Sequence, residues 1–235
     1  MKLSHRKDTT PWLFFKRTIA AQMHLLTFFL ALAGLVVLLP IAYEHGGPVH
    51  FWGTLVFGVT AMMVFGTSAV YHFMHDGMDM CPTLTDVMEK LDQYAIYLFI
   101  AGTYTPFLLN VIVSPWREAL MVAIWAIALS GILYTAFRHK LPQWAQSRAV
   151  YTSVFVLMGW ALMVRAGEIA ERLNWVGIGL LLGGALAYSI GAVVYVTKKP
   201  KLFEGIFGFH ELWHGFVTLG FAFHYFMVIS FYSAL

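Results

Sequence analysis

Charge is the scarcest commodity in this sequence: Asp, Glu, Lys and Arg together make up 11% of its 235 residues, against about 25% in an ordinary soluble domain. A water-soluble domain is excluded, because 60% of the residues are hydrophobic and too few polar ones remain to cover them. Intrinsic disorder is excluded by the same shortage, since a chain this apolar cannot stay solvated when unfolded. The excess of basic residues is only three, and it is spread between apolar runs instead of gathered on one face, which excludes nucleic acid as a main partner. Cysteine is absent but for Cys81, so no intrachain disulfide can form, and a free, inert thiol is expected there. Internal repeats, low-complexity tracts and any extramembrane stretch long enough for a second domain are also lacking, so residues 1–235 are expected to form one domain.

Long apolar runs are what the sequence does have. Cutting the chain at its charged residues leaves seven, beginning near Thr18, His45, Gln93, Ala119, Ala149, Leu173 and Leu212. They are continuously apolar, not alternating, and backbone groups in lipid must be satisfied within the segment, so helices are expected and a β-barrel is excluded. The expected fold is an all-α integral membrane protein, a seven-transmembrane-helix bundle with spans near 18–43, 48–74, 91–113, 117–137, 146–165, 173–197 and 209–234. The fifth reaches spanning length only if Arg148 and Arg165 snorkel at its ends. The first is expected to be retained and not cleaved as a signal peptide, because its apolar run continues past Ala33 through Leu38 to Tyr43. Gly177, Gly179, Gly183, Gly184 and Gly191 in the sixth favour close helix packing.

Lys and Arg orient such a bundle, since they collect in cytoplasmic loops. Twelve fall on one side: Lys2, Arg6, Lys7, Lys16, Arg17, Lys90, Arg138, Lys140, Arg148, Lys198, Lys199 and Lys201. Arg117, Arg165 and Arg172 fall on the other. The N-terminus is therefore expected in the cytoplasm and the C-terminus outside, in a multi-pass protein of the cell inner membrane.

Ionisable groups at membrane depth are costly and mark function. Among ten histidines, His5, His45, His50, His75 and His139 fall in loops or at interfaces and are read as solvated. His24 and His224 stand alone inside spans and are read as interhelical hydrogen-bonding residues. His210 and His214, four apart at the start of the last span, project from one helix face within reach of a single metal ion. His72, ending the second span one turn after Ser68, is the candidate third ligand. In the expected topology the second span ends where the third and seventh begin, so His72, Asp92, His210 and His214 share one depth. Asp92 is the carboxylate closest to the third span, whereas Asp76, Asp79, Asp86 and Glu89 fit a solvated loop.

Three neutral imidazoles leave a fourth tetrahedral position on zinc for water, the pattern of a catalytic site. Zinc would lower the pKa of that water from roughly 15.7 to about 7. Asp92 is placed to orient the water and take its proton, and the Ser68 hydroxyl to hold the water or a developing oxyanion. His210-Glu211-Leu212-Trp213-His214 also spells the HExxH motif of zinc metalloproteases, with Glu211 as general base. A non-enzymatic membrane protein (a receptor, transporter or cytolysin) whose helices zinc ties together is a further class.

Ser68-xxx-His72, Asp92, Ile100-Ala101-Gly102-Thr103-Tyr104-Thr105-Pro106 and His210-xxx-His214 together resemble the haemolysin III proteins, bacterial members of the progestin and adipoQ receptor superfamily, which is similar to the alkaline ceramidases. The resemblance covers nearly the whole chain. It implies a seven-helix fold, an inner-leaflet Zn2+ held by His72, His210 and His214, with Ser68 and Asp92 around a zinc-bound water, and hydrolysis of a membrane lipid amide such as that of ceramide. Pro106 is expected to kink its helix and free a carbonyl near Gly102 for Thr103 or Thr105 to satisfy, a matter of packing and shape.

Overall fold

In a computed structural model of the chain, the described residues are 15, 18–77, 81–200, 202–203 and 207–233. Lys2, His5, Arg6, Lys7, Lys16, Arg17, Asp79 and Lys201 lie outside them. The described residues form helices α1 (Ile19–His72), α2 (Pro82–Val111), α3 (Trp116–Phe137), α4 (Arg148–Trp160), α5 (Ala166–Arg172), α6 (Trp175–Thr197) and α7 (Phe209–Ser233). A wider π-helical turn, Phe73–Gly77, continues α1, and a tighter 3-10 turn, Ala161–Arg165, joins α4 to α5.

The expected count of seven spanning helices is corrected to six helices, among the described residues, that are long and apolar enough to cross a membrane. The segments 18–43 and 48–74 belong to one 54-residue element, α1. No loop separates them, because a single residue, Gly47, leaves helical geometry (φ 68°, ψ −164°). Pro48 disfavours the helical conformation for the residue before it, and glycine takes a positive φ without steric penalty. Pro48 then suits the first turn of the continuing helix, where its missing N–H is not needed. A straight helix of this length would measure about 80 Å. Instead α1 folds back on itself at Gly47. Leu35 covers Gly58, Phe28 covers Gly66, and the Tyr43 and Phe51 rings meet at 6.1 Å.

The fifth predicted span is also longer than expected, running from Arg148 to Arg172. Arg165 does not end it, because its guanidinium pairs with Glu168 at 2.7 Å and lies 4.9 Å over the Trp116 ring. Where the helix tightens, the Tyr104 hydroxyl donates towards the Met158 and Gly159 carbonyls (2.6 and 3.0 Å) and accepts from the Leu162 N–H.

α2 is the central helix, with 67% of its apolar stretch buried against at most 39% in the others. Phe57, Phe65, Phe99 and Phe221 pack ring to ring at 5.3–6.4 Å and join α1, α2 and α7. Gly102 lets α2 press against α1, since a Cβ there would overlap Thr60 Oγ1. Thr103 and Thr105 donate to the carbonyls of Phe99 and Ala101 (2.9 and 3.0 Å), one to three residues before Gly102, whose own carbonyl is the one that Pro106 leaves without a helical N–H.

The end of α1, the starts of α2, α4 and α7 and the ends of α3 and α6 share one end of the bundle. Arg138 reaches Glu89 at 3.6 Å, and Arg148 donates to the Tyr195 carbonyl and lies over the Phe209 ring. Cys81 is free and exposed just before α2. Hydrogen bonds from the Thr83 and Leu84 backbone hold its thiol below the usual pKa range.

Candidate metal centre

Helix geometry does the first part of the assembly. His210 and His214 lie one turn apart at the start of α7, and His72 closes α1 one turn after buried Ser68. Their ligating nitrogens all fall within 4.8 Å of one another, a site capable of holding a metal ion. His210 Nε2 is 3.1 Å from His72 Nε2 and 3.0 Å from His214 Nε2.

The proton arrangement tests whether these residues fit a metal. His72 Nδ1 lies 2.9 Å from Asp76 Oδ2, and a carboxylate only accepts, so Nδ1 carries the proton and Nε2 presents its lone pair. His214 Nδ1 lies 2.8 Å from His24 Nε2, leaving His214 Nε2 free to face the centre. His210 Nε2 has at most one proton to share between two neighbouring nitrogens, of which His72 Nε2 offers only a lone pair. A cation set between the three nitrogens would satisfy all of them at once. Nitrogens bound to one tetrahedral zinc stand about 3.3 Å apart, a few tenths of an ångström beyond the contacts here. The donor set fits.

Of the two partners of this centre, Asp76 was read otherwise from the sequence, whereas His24 makes the interhelical hydrogen bond expected of it, to His214. Asp76 is not simply a solvated loop residue: the π-helical turn carries it back onto His72, four residues earlier, while Oδ1 meets His75 Nδ1 at 2.7 Å. A carboxylate on the far nitrogen of a metal-binding histidine fixes its ring and tautomer. The i, i+4 spacing to His72 was the available signal. His24 does not stand alone either. It is 3% exposed and reaches His214 from the first limb of α1, and its depth near the start of that limb was the only hint.

The other candidates fall into place around this pair of helices. Asp92, on α2, is half-buried and faces both the Ser68 hydroxyl and His72. Glu211 turns away to accept the Gly208 N–H at 2.7 Å, which caps its own helix. His224 lies apart from the centre, packed against the Tyr188 ring at 5.5 Å. A cavity of about 120 Å³ begins at His24, Ser68, Asp92 and His214 and continues between α2, α4, α6 and α7, past Phe99 and Tyr104. One water needs only about 10–15 Å³. The walls are mostly apolar.

The description "Haemolysin-III related" matches residues 13–225. The chain belongs to this family. It is 33% identical to Hemolysin-3 of Bacillus cereus over 92% of each chain. Its identity to the Hemolysin-3 homolog of Bacillus subtilis is 31%, over 89% of this chain and 91% of the relative. Heptahelical transmembrane protein ADIPOR2 of rice is 28% identical, over 77% of this chain and 81% of that one. The relationship extends in this way to the progestin and adipoQ receptor superfamily.

Proposed function

We propose that this protein is a zinc-dependent hydrolase acting on a lipid amide or ester at the cytoplasmic leaflet of the cell inner membrane. The observation that carries the reading is the position of Asp92 and Ser68, which line the same cavity as His214 while its walls are mostly apolar. His72, His210 and His214 would hold the zinc, a borderline-soft ion suited to imidazole. When bound, it supplies Lewis acidity to a carbonyl oxygen and makes a nearby water a better nucleophile. Asp92 takes the proton that the attacking water gives up and returns it to the departing amine or alcohol. Ser68 donates a hydrogen bond to the carbonyl oxygen as charge develops there. An acyl chain lies along the apolar walls, and water, amide and both products then balance as a fatty acid and an amine. The resemblance to the alkaline ceramidases favours the amide.

The test uses purified protein in nanodiscs of native lipid. One zinc per chain is expected, with lowered occupancy in His210→Ala; full occupancy in that variant would defeat the ligand assignment. Mass spectrometry should detect fatty acid released by wild type and at least a hundredfold less by Asp92→Asn. Equal release by both, or loss in Glu211→Gln alone, would remove Asp92 as the base. A second reading, zinc as a structural clasp, is favoured by the 138 residues that separate His72 from His210, a long loop that the metal would close. It expects zinc removal to lower thermal stability and wild type to release no fatty acid.

A further inference from the structure

We infer that His24 is a positioning residue of the metal centre, holding His214 in the one tautomer that can ligate. This rests on the zinc reading proposed above. A histidine that offers Nε2 to a metal must carry its proton on Nδ1. In His214 that proton points at His24 Nε2, 2.8 Å away, in a T-shaped ring contact with centroids 3.9 Å apart. The opposite arrangement, His24 donating, would place the His214 proton on Nε2 and block the ligand. Binding and the direction of this hydrogen bond are therefore linked.

The choice of residue follows from burial. His72 has a carboxylate in the equivalent role, but Asp76 is 30% exposed and its charge remains partly hydrated. His24 is 3% exposed, with the Phe65 ring edge at 5.2 Å, inside the part of the bundle that faces the apolar cavity. A charged acceptor there would lose its hydration, whereas a neutral imidazole accepts the same hydrogen bond at the smaller cost of its own buried Nδ1–H, which has no partner among the described residues. The two outer partners thus match their surroundings, a carboxylate where water reaches and an imidazole where it does not. They also come from opposite limbs of α1, so the fold-back at Gly47 is what brings His24 and His72 to the same metal centre.

The experiment compares wild type with His24→Ala, His24→Gln and His24→Phe in nanodiscs. Zinc affinity is measured by competition with a chromogenic chelator, and the Co2+-substituted centre by its visible absorption. His24→Ala should bind zinc 10–100-fold more weakly and shift the cobalt bands. His24→Gln, whose side-chain oxygen can accept from His214, should recover most of the affinity. His24→Phe, which keeps the ring volume but accepts nothing, should resemble the alanine variant. If the alanine variant does not fold, the Gln and Phe pair decides the matter. Wild-type affinity and spectrum in His24→Phe, or recovery by Phe and not by Gln, would overturn the inference and leave the metal reading intact. Failure of wild type to bind either ion would remove that reading, and the inference with it.

Discussion

Removing the Asp76 carboxylate should weaken metal binding although Asp76 is not itself a ligand. Its Oδ2 accepts the His72 Nδ1 proton at 2.9 Å, which keeps the His72 Nε2 lone pair turned towards His210 and His214. Without an acceptor the ring can rotate, or hold its proton on Nε2, and each loose state lowers the fraction competent to bind. Outer partners of metal-bound histidines are worth 10–100-fold in affinity, or about 1.4–2.8 kcal/mol. Because the carboxylate is 30% exposed, water can take over part of the acceptor role, so the lower half of that range is expected for Asp76→Ala. Asp76→Asn keeps an accepting oxygen but loses the charge, and should fall between alanine and wild type. His75→Ala, which frees only the Oδ1 contact, should leave affinity close to wild type. Chelator competition in nanodiscs measures all three. Unchanged affinity in Asp76→Ala, or a larger loss in His75→Ala, would refute the coupling through His72.

Three further outcomes follow from other parts of the structure. Tyr104→Phe removes the hydroxyl that serves two carbonyls and one N–H where α4 tightens; a loss of about 1–3 kcal/mol is expected from the groups left unpaired, and an unchanged thermal midpoint in nanodiscs would contradict it. Glu211→Ala removes a cap from α7 and should cost about 0.5–2 kcal/mol in stability while leaving one zinc bound per chain; loss of zinc would give the residue a role at the metal. Cys81 should be alkylated by a water-soluble reagent with a pH midpoint below that of a free thiol, about 8.5, because the backbone N–H groups at the start of α2 stabilise the thiolate. Below that midpoint the thiolate fraction, and with it the rate, falls as the sulfur is protonated; a midpoint at or above the free value would count against the hydrogen bonds.

Much of the bundle was legible because apolar length and charge placement are local properties. The boundaries of α3, α6 and α7 follow the charge-free runs closely, since a charge is costly within lipid and is placed where a helix leaves it. Arg165 broke that rule because its charge is paired, and Glu168, three residues on, was too near in sequence to be read as anything but another end marker. The expected spans 18–43 and 48–74 left residues 44–47 as a connection between two helices, whereas Gly47 alone leaves helical geometry and turns the chain there. His210 and His214 were legible as a pair because their spacing is one helical turn, and His72 joined them by depth alone. That His24 bonds between helices was legible, but not that its partner is His214, because nothing along the chain connects the two, 190 residues apart.

By itself the sequence determined that this is a multi-span helical membrane protein and that four groups of metal-site chemistry lie at one end of it, because burial of charge in lipid and the helical repeat leave few alternatives. Tertiary structure alone decided how many separate helices there are, that Asp76 and His24 stand behind His72 and His214, and that Glu211 faces its own helix instead of the metal. Those outcomes depend on one glycine's backbone angles and on hydrogen bonds of 2.7–2.9 Å, of which His24–His214 spans 190 residues, whereas those of Asp76 and Glu211 are local contacts whose side-chain directions the sequence leaves open.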